Sequence, residues 1–410
     1  MLLSLNIGKI KKSYGFLEML YAFLPILSPY SLGFIPFTIL LPVVFSILAF
    51  VKTHRVWIYK PYLLLVGYLL LHDLILCMTM PALPMYHLNL LFTTTIVLLS
   101  PIFIVPALDF KKLYNSLLFV ALICGIGMVY HYIIIRNGGM ATPIKIPFLP
   151  VGAESRLNEE LGRPLSFFVE PASYATFMIV PLFLCLLRDK HIYTTLILIT
   201  LFLSTSTTAV VESIIVIVIY LLTVVSRQYK FRALILSIML IAVGYFIQSS
   251  ALFEATFQKI DETEINENAR IMNGPAVVQH LPIENFLFGV NNANVSDYVT
   301  ENHLQSFVFY GRNDDHYLFV ATFWQILIRF GLPGIFLYIF LLYSFYRKDK
   351  TLLPYIFCLA TGWFFQGIAI SLMYTWQICI MAIYIYRHNE ITFEFFKVVK
   401  ETRPKLPEQQ

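Results

Sequence analysis

Residues 113–135 read LYNSLLFVALICGIGMVYHYIII, an apolar run of 23 residues that begins directly after Lys111 and Lys112. About 20 mainly apolar residues are enough for a helix to cross the hydrocarbon core of a bilayer. Similar runs recur along the chain and give twelve candidate spans: Leu17–Ser31, Phe34–Val51, Pro61–Met80, Leu88–Ala107, Leu113–Ile135, Pro171–Leu187, Ile192–Ser204, Thr208–Ser226, Phe231–Gln248, Tyr317–Tyr346, Leu352–Gln366 and Ile368–Tyr386. The sequence therefore predicts an all-α integral membrane protein, a polytopic bundle of about 12 transmembrane helices.

The composition favours a membrane protein over other classes. Apolar residues make up 58% of the chain and charged residues 13%, with a mean hydropathy of +0.74, whereas soluble domains are about a quarter charged. The net charge of +5 is explained by cations that flank the spans, so no nucleic-acid partner is needed. We expect no cleavable signal, because more spans follow the first apolar run. All five cysteines lie in or at the ends of spans, which predicts neither a disulfide nor a zinc site.

Lysine and arginine cluster in every second gap between the spans. With a cytoplasmic N-terminus, 21 of the 29 basic residues fall on the cytoplasmic side. These residues are Lys9, Lys11, Lys12, Lys52, Arg55, Lys60, Lys111, Lys112, Arg188, Lys190, Arg227, Lys230, Arg232, Arg347, Lys348, Lys350, Arg387, Lys397, Lys400, Arg403 and Lys405. The positive-inside rule therefore predicts that both termini are cytoplasmic.

Two long outer segments interrupt the alternation. They are Arg136–Glu170 and Ser249–His316, the second being 68 residues long and lying between spans 9 and 10, and together they hold 14 of the 24 acidic residues. Loops beyond about 15 residues are uncommon unless they are functional or disordered. We predict a single polytopic membrane domain over residues 1–396, with outer loops at 136–170 and 249–316, and a loose cytoplasmic tail over 397–410.

Polar residues inside spans are costly and are functional candidates. Asp73 beside His72 is either a proton relay or a structural pair that bridges helices. Glu212 follows the hydroxyl-rich stretch Ser204–Thr208, which lies between two short spans and suggests a re-entrant or broken element. We therefore predict that Ser206 and Glu212 line a polar cavity.

The stretch from Gly162 to Pro171 (GRPLSFFVEP) places an arginine and a glutamate just before a span, on the outer side. Arg163 and Glu170 would share a face if the stretch were helical, but Pro164 and Pro171 suggest two helix starts instead. Arg163 could clamp a diphosphate with two parallel hydrogen bonds. The alternative is an interfacial arginine that pairs with Glu170.

The large outer loop holds a further arginine and a histidine. Ala269, Met272 and Ala276 recur at helical spacing, which places Arg270 near the start of a helix. His316 changes its protonation near neutral pH, and it lies at the membrane edge beside Asp314 and Asp315. His316 is thus a candidate base and Asp315 a candidate for the cavity lining.

No ligand cluster in the sequence demands a metal or another cofactor. After the histidine, the stretch Gly331-Leu332-Pro333-Gly334 is predicted to break the helix and to start its spanning part.

Five elements, in this order, resemble the O-antigen polymerase and O-antigen ligase superfamily of bacterial inner-membrane proteins. The elements are Arg163 with Phe168-Val169-Glu170-Pro171, the turn Ser204–Thr208, the Ala269-Arg270 helix leading to Phe288-Gly289, the pair His316-Tyr317, and Phe330-Gly331-Leu332-Pro333-Gly334.

The resemblance implies a GT-C-like membrane fold with a large periplasmic loop. It also implies a metal-independent glycosyltransferase of Wzy type, which polymerises undecaprenyl diphosphate-linked oligosaccharide repeat units into O-antigen, capsule or exopolysaccharide. Arg163 and Arg270 would hold the diphosphate, while His316 or Glu170 would assist the acceptor hydroxyl. The implied location is the bacterial inner membrane with a periplasmic active site, and the implied partners are lipid-linked glycans, the bilayer, a chain-length regulator and a flippase.

Two alternatives stay open at the level of sequence. A ligase that moves a finished glycan to a lipid or protein acceptor uses the same bond chemistry. A polysaccharide-precursor flippase or transporter belongs to another class, and transporters usually show paired halves with matching broken helices. The sequence shows no such pairing.

Overall fold

The structure is a computed structural model that describes residues 14–33, 35–78, 85–151, 156–225, 269–290, 320–366, 371–389, 392–394 and 397–399. It is 78% helical, which agrees with the predicted all-α class. Its α-helices are α1 (Phe16–Leu27), α2 (Phe37–Thr53), α3 (Lys60–Met78), α4 (Met85–Ile104), α5 (Phe110–Arg136), α6 (Pro171–Leu187), α7 (His191–Leu203), α8 (Thr207–Tyr220), α9 (Ala269–Gln279), α10 (Ile283–Phe288), α11 (Thr322–Lys348), α12 (Leu353–Phe365) and α13 (Leu372–Asn389).

Among the described residues, four helical segments are long and apolar enough to cross a membrane. They are Leu88–Ala107, Phe110–Arg136, Thr207–Val225 and Thr322–Lys348. These segments are compatible with an all-α membrane protein. A described helix overlaps each predicted span except Phe231–Gln248, which lies outside the described residues. The count of twelve spans and the GT-C-like arrangement remain predictions.

Helix α6 lies at the centre of the bundle. Every residue from 174 to 185 is buried, and α6 contacts α5, α7, α8, α12 and α13. A helix that is apolar on all sides is expected in such a position. Its aromatic side chains stack on neighbouring helices, with Phe177 on Trp376 at 5.5 Å and Phe183 on Tyr355 at 5.2 Å between ring centroids. Such stacked aromatic pairs contribute to the packing between these helices.

The segments predicted to be cytoplasmic meet at one end of the bundle. Glu18 lies 3.8 Å from the Lys52 ammonium and accepts a hydrogen bond of 3.0 Å from the backbone of Asp109. The Arg188 guanidinium lies over the ring of Tyr114. Strand β3 (Arg55–Trp57) pairs here with β4 (Thr392–Glu394), which in turn pairs with β5 (Lys397–Val399). The first residues of the predicted loose tail therefore form a strand.

The segments predicted to be outside also contact one another. A short hairpin of β1 (Ser31–Leu32) and β2 (Ile35–Pro36) lies against the 136–170 loop, because Ser31 donates its backbone N–H to Pro150. The hydroxyl of nearby Tyr30 accepts a hydrogen bond of 2.7 Å from the backbone N–H of Ile146. The outer loop is thus fixed to the first helices of the chain.

Helix α11 is interrupted at Gly331, as the Gly-Leu-Pro-Gly stretch predicts. Gly331 has φ 65° and ψ −168°, which is not helical. Glycine adopts this conformation without a steric penalty. Residues 322–330 therefore form a separate short helical piece before the longer part of α11.

Candidate functional site

The segment 162–170 runs as irregular chain between α5 and α6. Helix α6 begins at Pro171, with Glu170 at the capping position in an extended conformation. Proline suits the first turn of a helix, so the predicted start at Pro171 is correct. Pro164 starts no helix, and that part of the prediction is wrong. Arg163 and Glu170 therefore do not share a helical face.

The same segment is anchored into the bundle by α5. Its backbone N–H groups at Leu165 and Ser166 donate to Nδ1 of His131, and the Ser166 hydroxyl donates to the Cys124 carbonyl at 2.7 Å. Gly127 gives the segment room, since a Cβ there would lie 2.7 Å from the Ser166 hydroxyl oxygen. These contacts fix the position of the neighbouring Arg163.

Arg163 is a half-buried cation held by a neighbouring turn. Its guanidinium donates to the Thr205 carbonyl at 3.0 Å. Its buried Nε has no hydrogen-bond acceptor among the described residues, and the buried hydroxyl of Thr205 likewise has no partner there. Burial lowers the pKa of Arg163, while the charge of Glu170 raises it. Arginine stays charged despite such shifts. Arg163 is therefore a half-buried cation whose Nε donor is free among the described residues.

Glu170 has a different partner from the one considered in the sequence. It accepts a hydrogen bond of 2.6 Å from Arg156, and Arg156 also donates to Glu159 at 2.7 Å. The hydrogen bond to Glu159, together with the charge of Glu170, raises the pKa of Arg156. Glu170 therefore acts on Arg163 through its charge, while it forms a direct ion pair with Arg156.

The hydroxyl-rich stretch forms a tight turn between α7 and α8. The turn holds Ser204, Thr205 and Ser206, all buried, with Thr205 at φ 53°. Ser206 occupies the capping position of α8 without a side-chain capping bond. The turn thus brings Ser206 next to the residue that Arg163 binds.

Glu212 belongs to a second, deeper group. Its carboxylate accepts a hydrogen bond from the side-chain amide of Gln366. Gln366 in turn accepts from Thr176 at 3.0 Å, and Gln377 donates to the Thr176 carbonyl at 2.9 Å. Glu212, Gln366 and Gln377 line a small cavity. Ser206 is not among the residues that line this cavity. That Ser206 and Glu212 line one polar cavity stays a prediction.

The other predicted site residues are only partly described. Arg270 lies in the first turn of α9, a helix that the spacing of Ala269, Met272 and Ala276 predicts and that contacts α11 and α12. The side chain of Arg270, and the whole of Asp315 and His316, lie outside what the structure describes. Their convergence with Arg163 therefore stays a prediction.

The two Phe-Gly elements of the chain pack against each other. Val290 donates its backbone N–H to the Ile328 carbonyl at 2.8 Å. A Cβ on Gly289 would overlap the Arg329 carbonyl, and a Cβ on Gly331 would overlap the Leu287 carbonyl. The outer loop is thus joined to the break in α11 by direct backbone contact.

His72 links this junction to α3. Its Nε2 lies 2.5 Å from the Phe288 carbonyl, and its Nδ1 lies 3.8 Å from Asp73. This arrangement matches the structural reading of the pair, in which the histidine bridges two helices.

Comparison with models of known protein families and with curated proteins gave no match. A search of the described residues for three or more clustered histidine, cysteine, aspartate or glutamate side chains likewise found no group able to hold a metal ion. The class that the structure supports is a helical protein in which four of the described helical segments could cross a membrane.

Sequence reasoning missed several polar residues that shape these sites. The sequence patterns do not single out Arg156, His131, Gln366 and Gln377. The last three lie in predicted spans or at a span end, and the cost of polar groups in membranes was the signal that could have found them. Arg156 lies in a loop, where no periodic pattern marks its contact with Glu170.

Proposed function

We propose that this protein polymerises undecaprenyl diphosphate-linked oligosaccharide repeat units by glycosyl transfer on the outer face of the bacterial inner membrane. The carrying observation is Arg163, which is half-buried and held by the Thr205 carbonyl, while its Nε has no acceptor in the part of the chain that the structure describes. A half-buried guanidinium is planar and presents paired N–H donors, which suits an anion that offers two oxygens at once, such as a phosphate. The resemblance described above names the lipid diphosphate as that anion.

In the proposed reaction, a sugar hydroxyl of one repeat unit attacks the anomeric carbon of another. The new carbon–oxygen bond forms as the bond from that carbon to the diphosphate breaks. The bonding pair leaves with undecaprenyl diphosphate, and the hydroxyl proton passes to a base. Negative charge grows on the leaving diphosphate, and fixed cations stabilise it most where water is excluded. Arg163 supplies one such cation, and Arg270 is proposed as the second.

The proposed base is His316, and Glu170 is the second candidate for this role. Support for this order comes from the ion pair between Glu170 and Arg156, which already engages that carboxylate. An imidazole can accept a proton near neutral pH. The hydroxyls of the Ser204–Ser206 turn would lie beside the diphosphate, since Thr205 contacts Arg163.

The direct test is conversion of purified lipid-linked repeat unit into a ladder of longer glycans. Arg163→Ala and Arg270→Ala are each expected to slow ladder formation about a hundredfold, the usual effect of removing one donor from developing charge. The matched control is Lys145→Ala, since Lys145 is an exposed cation of the same outer loop that bonds only to Asn158 among the described residues.

A full ladder from the Arg163→Ala, Arg270→Ala double variant would refute the leaving-group assignment. Transfer of glycan to a lipid or protein acceptor, with no ladder from the wild type, would instead identify a ligase. Neither product, with vectorial movement of the lipid-linked unit, would favour a transporter.

A further inference from the structure

The group around Glu212 is a site of its own within the helix bundle. Glu212 is 5% exposed, and among the described residues no lysine, arginine or histidine forms an ion pair with it. The side-chain amide of Gln366 supplies a hydrogen bond but no charge. A buried carboxylate without a counter-ion is strongly disfavoured unless a proton or a cation neutralises it.

A second observation points to what lies beside Glu212. Gln377 is 2% exposed and lines the same cavity, and its amide N–H donates to the Thr176 carbonyl. Its Oε1 is buried and has no hydrogen-bond donor within the described chain. Buried acceptors are nearly always satisfied, so a donor is expected in the cavity.

The size and the lining of the cavity indicate which donor it can hold. The space admits about one water molecule. Its polar lining residues include Glu212, Gln366, Gln377 and Tyr374, and the rest is mainly apolar, including Ile179 and Leu359. Metal cations such as Ca²⁺ need about six or more oxygen ligands, whereas a buried water needs two to four polar partners. The lining therefore fits a water better than a metal cation.

The other titratable groups near Glu212 carry no positive charge that could neutralise it. Cys358 donates weakly to the Glu212 backbone carbonyl, and Tyr374 accepts from Trp363. Tyr355 also lies within electrostatic range. Thiols and phenols are neutral at pH 7, so none of them supplies a counter-charge.

We propose that this cavity binds an exchangeable proton and one water molecule, with the protonated carboxyl of Glu212 donating to the water and the water donating to Gln377 Oε1. Every buried polar atom named here then has a partner. The proton is held inside the bundle at a position separate from the proposed glycosyl-transfer site, and the inference does not depend on that function.

The experiment is infrared difference spectroscopy of the full chain in lipid nanodiscs at neutral pH, with the carbonyl stretch of a protonated carboxylic acid as the readout. The wild type is expected to show this band with a downshift in D₂O, and Glu212→Gln is expected to lose it. Glu18→Gln is the matched control, because Glu18 is also buried but has a counter-ion, the Lys52 ammonium at 3.8 Å. That variant should leave the band unchanged.

Gln377→Leu provides the second test, should Glu212→Gln fail to fold. It retains the acid but removes the acceptor of the water, so the band should shift in frequency. An unshifted band overturns the bridging water. A band that Glu212→Gln leaves intact, or one that appears only when Na⁺ is replaced by choline, overturns the proton site; the second result would identify a monovalent-cation site instead.

Discussion

Two arginines of the 136–170 loop differ in their hydrogen-bond partners. Arg156 and Arg163 lie seven positions apart in one outer loop, yet Arg156 is satisfied by two carboxylates and Arg163 by one backbone carbonyl. A surface ion pair contributes little to stability, about 0–1 kcal/mol. A desolvated guanidinium with a free donor is costly in the absence of a ligand. The arrangement at Arg163 is therefore better explained by binding than by stability.

Arg163→Lys is expected to retain an intermediate rate of ladder formation, between the wild type and Arg163→Ala. Lysine keeps the charge but loses the planar, two-pronged contact. The rate of ladder formation at saturating lipid-linked donor measures the effect. Full activity in the lysine variant would show that charge alone suffices, which would contradict a bidentate contact.

His316→Ala is expected to stop ladder formation while the variant still binds lipid-linked donor. The reason is that the proposed role of His316 concerns the acceptor proton and not the diphosphate. Donor binding can be followed by titration of the intrinsic tryptophan fluorescence, with Arg163→Ala as the variant that should bind donor more weakly. If His316→Ala also lost donor binding, the histidine would belong to the diphosphate site instead.

At the scale of elements, sequence patterns predicted helices well and loop contacts poorly. The bounds of α6 match the predicted span Pro171–Leu187, because Pro171 marks its start. Helix α5 begins three residues before the predicted span, at Phe110, since Asp109 caps it by accepting from the Lys112 backbone at 2.9 Å. The contacts of Arg163 and Glu170 depend on an irregular segment fixed by His131. No periodicity encodes such contacts.

The junction between the two Phe-Gly elements leads to a prediction about stability. Gly331→Ala should destabilise the protein by about 3 kcal/mol, because φ is positive there and a Cβ would meet the Leu287 carbonyl. Gly67→Ala is the matched control, as Gly67 lies inside α3 with nothing within 4 Å of its added Cβ. Thermal unfolding in detergent should show a lower midpoint for Gly331→Ala alone.

An equal midpoint in both glycine variants would mean that the outer loop does not rest on the break in α11. The same junction also includes His72, which contacts the Phe288 carbonyl. Gly331→Ala should therefore affect stability through the loop and α3 together.

For the whole molecule, composition and periodicity fix the class but leave the arrangement of helices open. Helices apolar on every side, such as α6, carry no stripe that names their neighbours. The stacking of Phe177 on Trp376 joins residues almost 200 positions apart, and such contacts follow from packing in three dimensions. Charge is more informative at this scale, because basic residues report on the two faces of a membrane without reference to packing.

The distribution of basic residues predicts the topology, with the 249–316 loop outside and both termini in the cytoplasm. Single cysteines introduced at Asn294 and at Lys348 should therefore differ in labelling by an impermeant thiol reagent, applied to intact cells with a permeabilised outer membrane. Asn294→Cys should react and Lys348→Cys should not. The five native cysteines are buried, so the unmodified chain serves as a control with low background. Equal labelling of the two variants would contradict the topology, and with it the placement of Arg163 and Arg270 on the face that the proposed polymerisation requires.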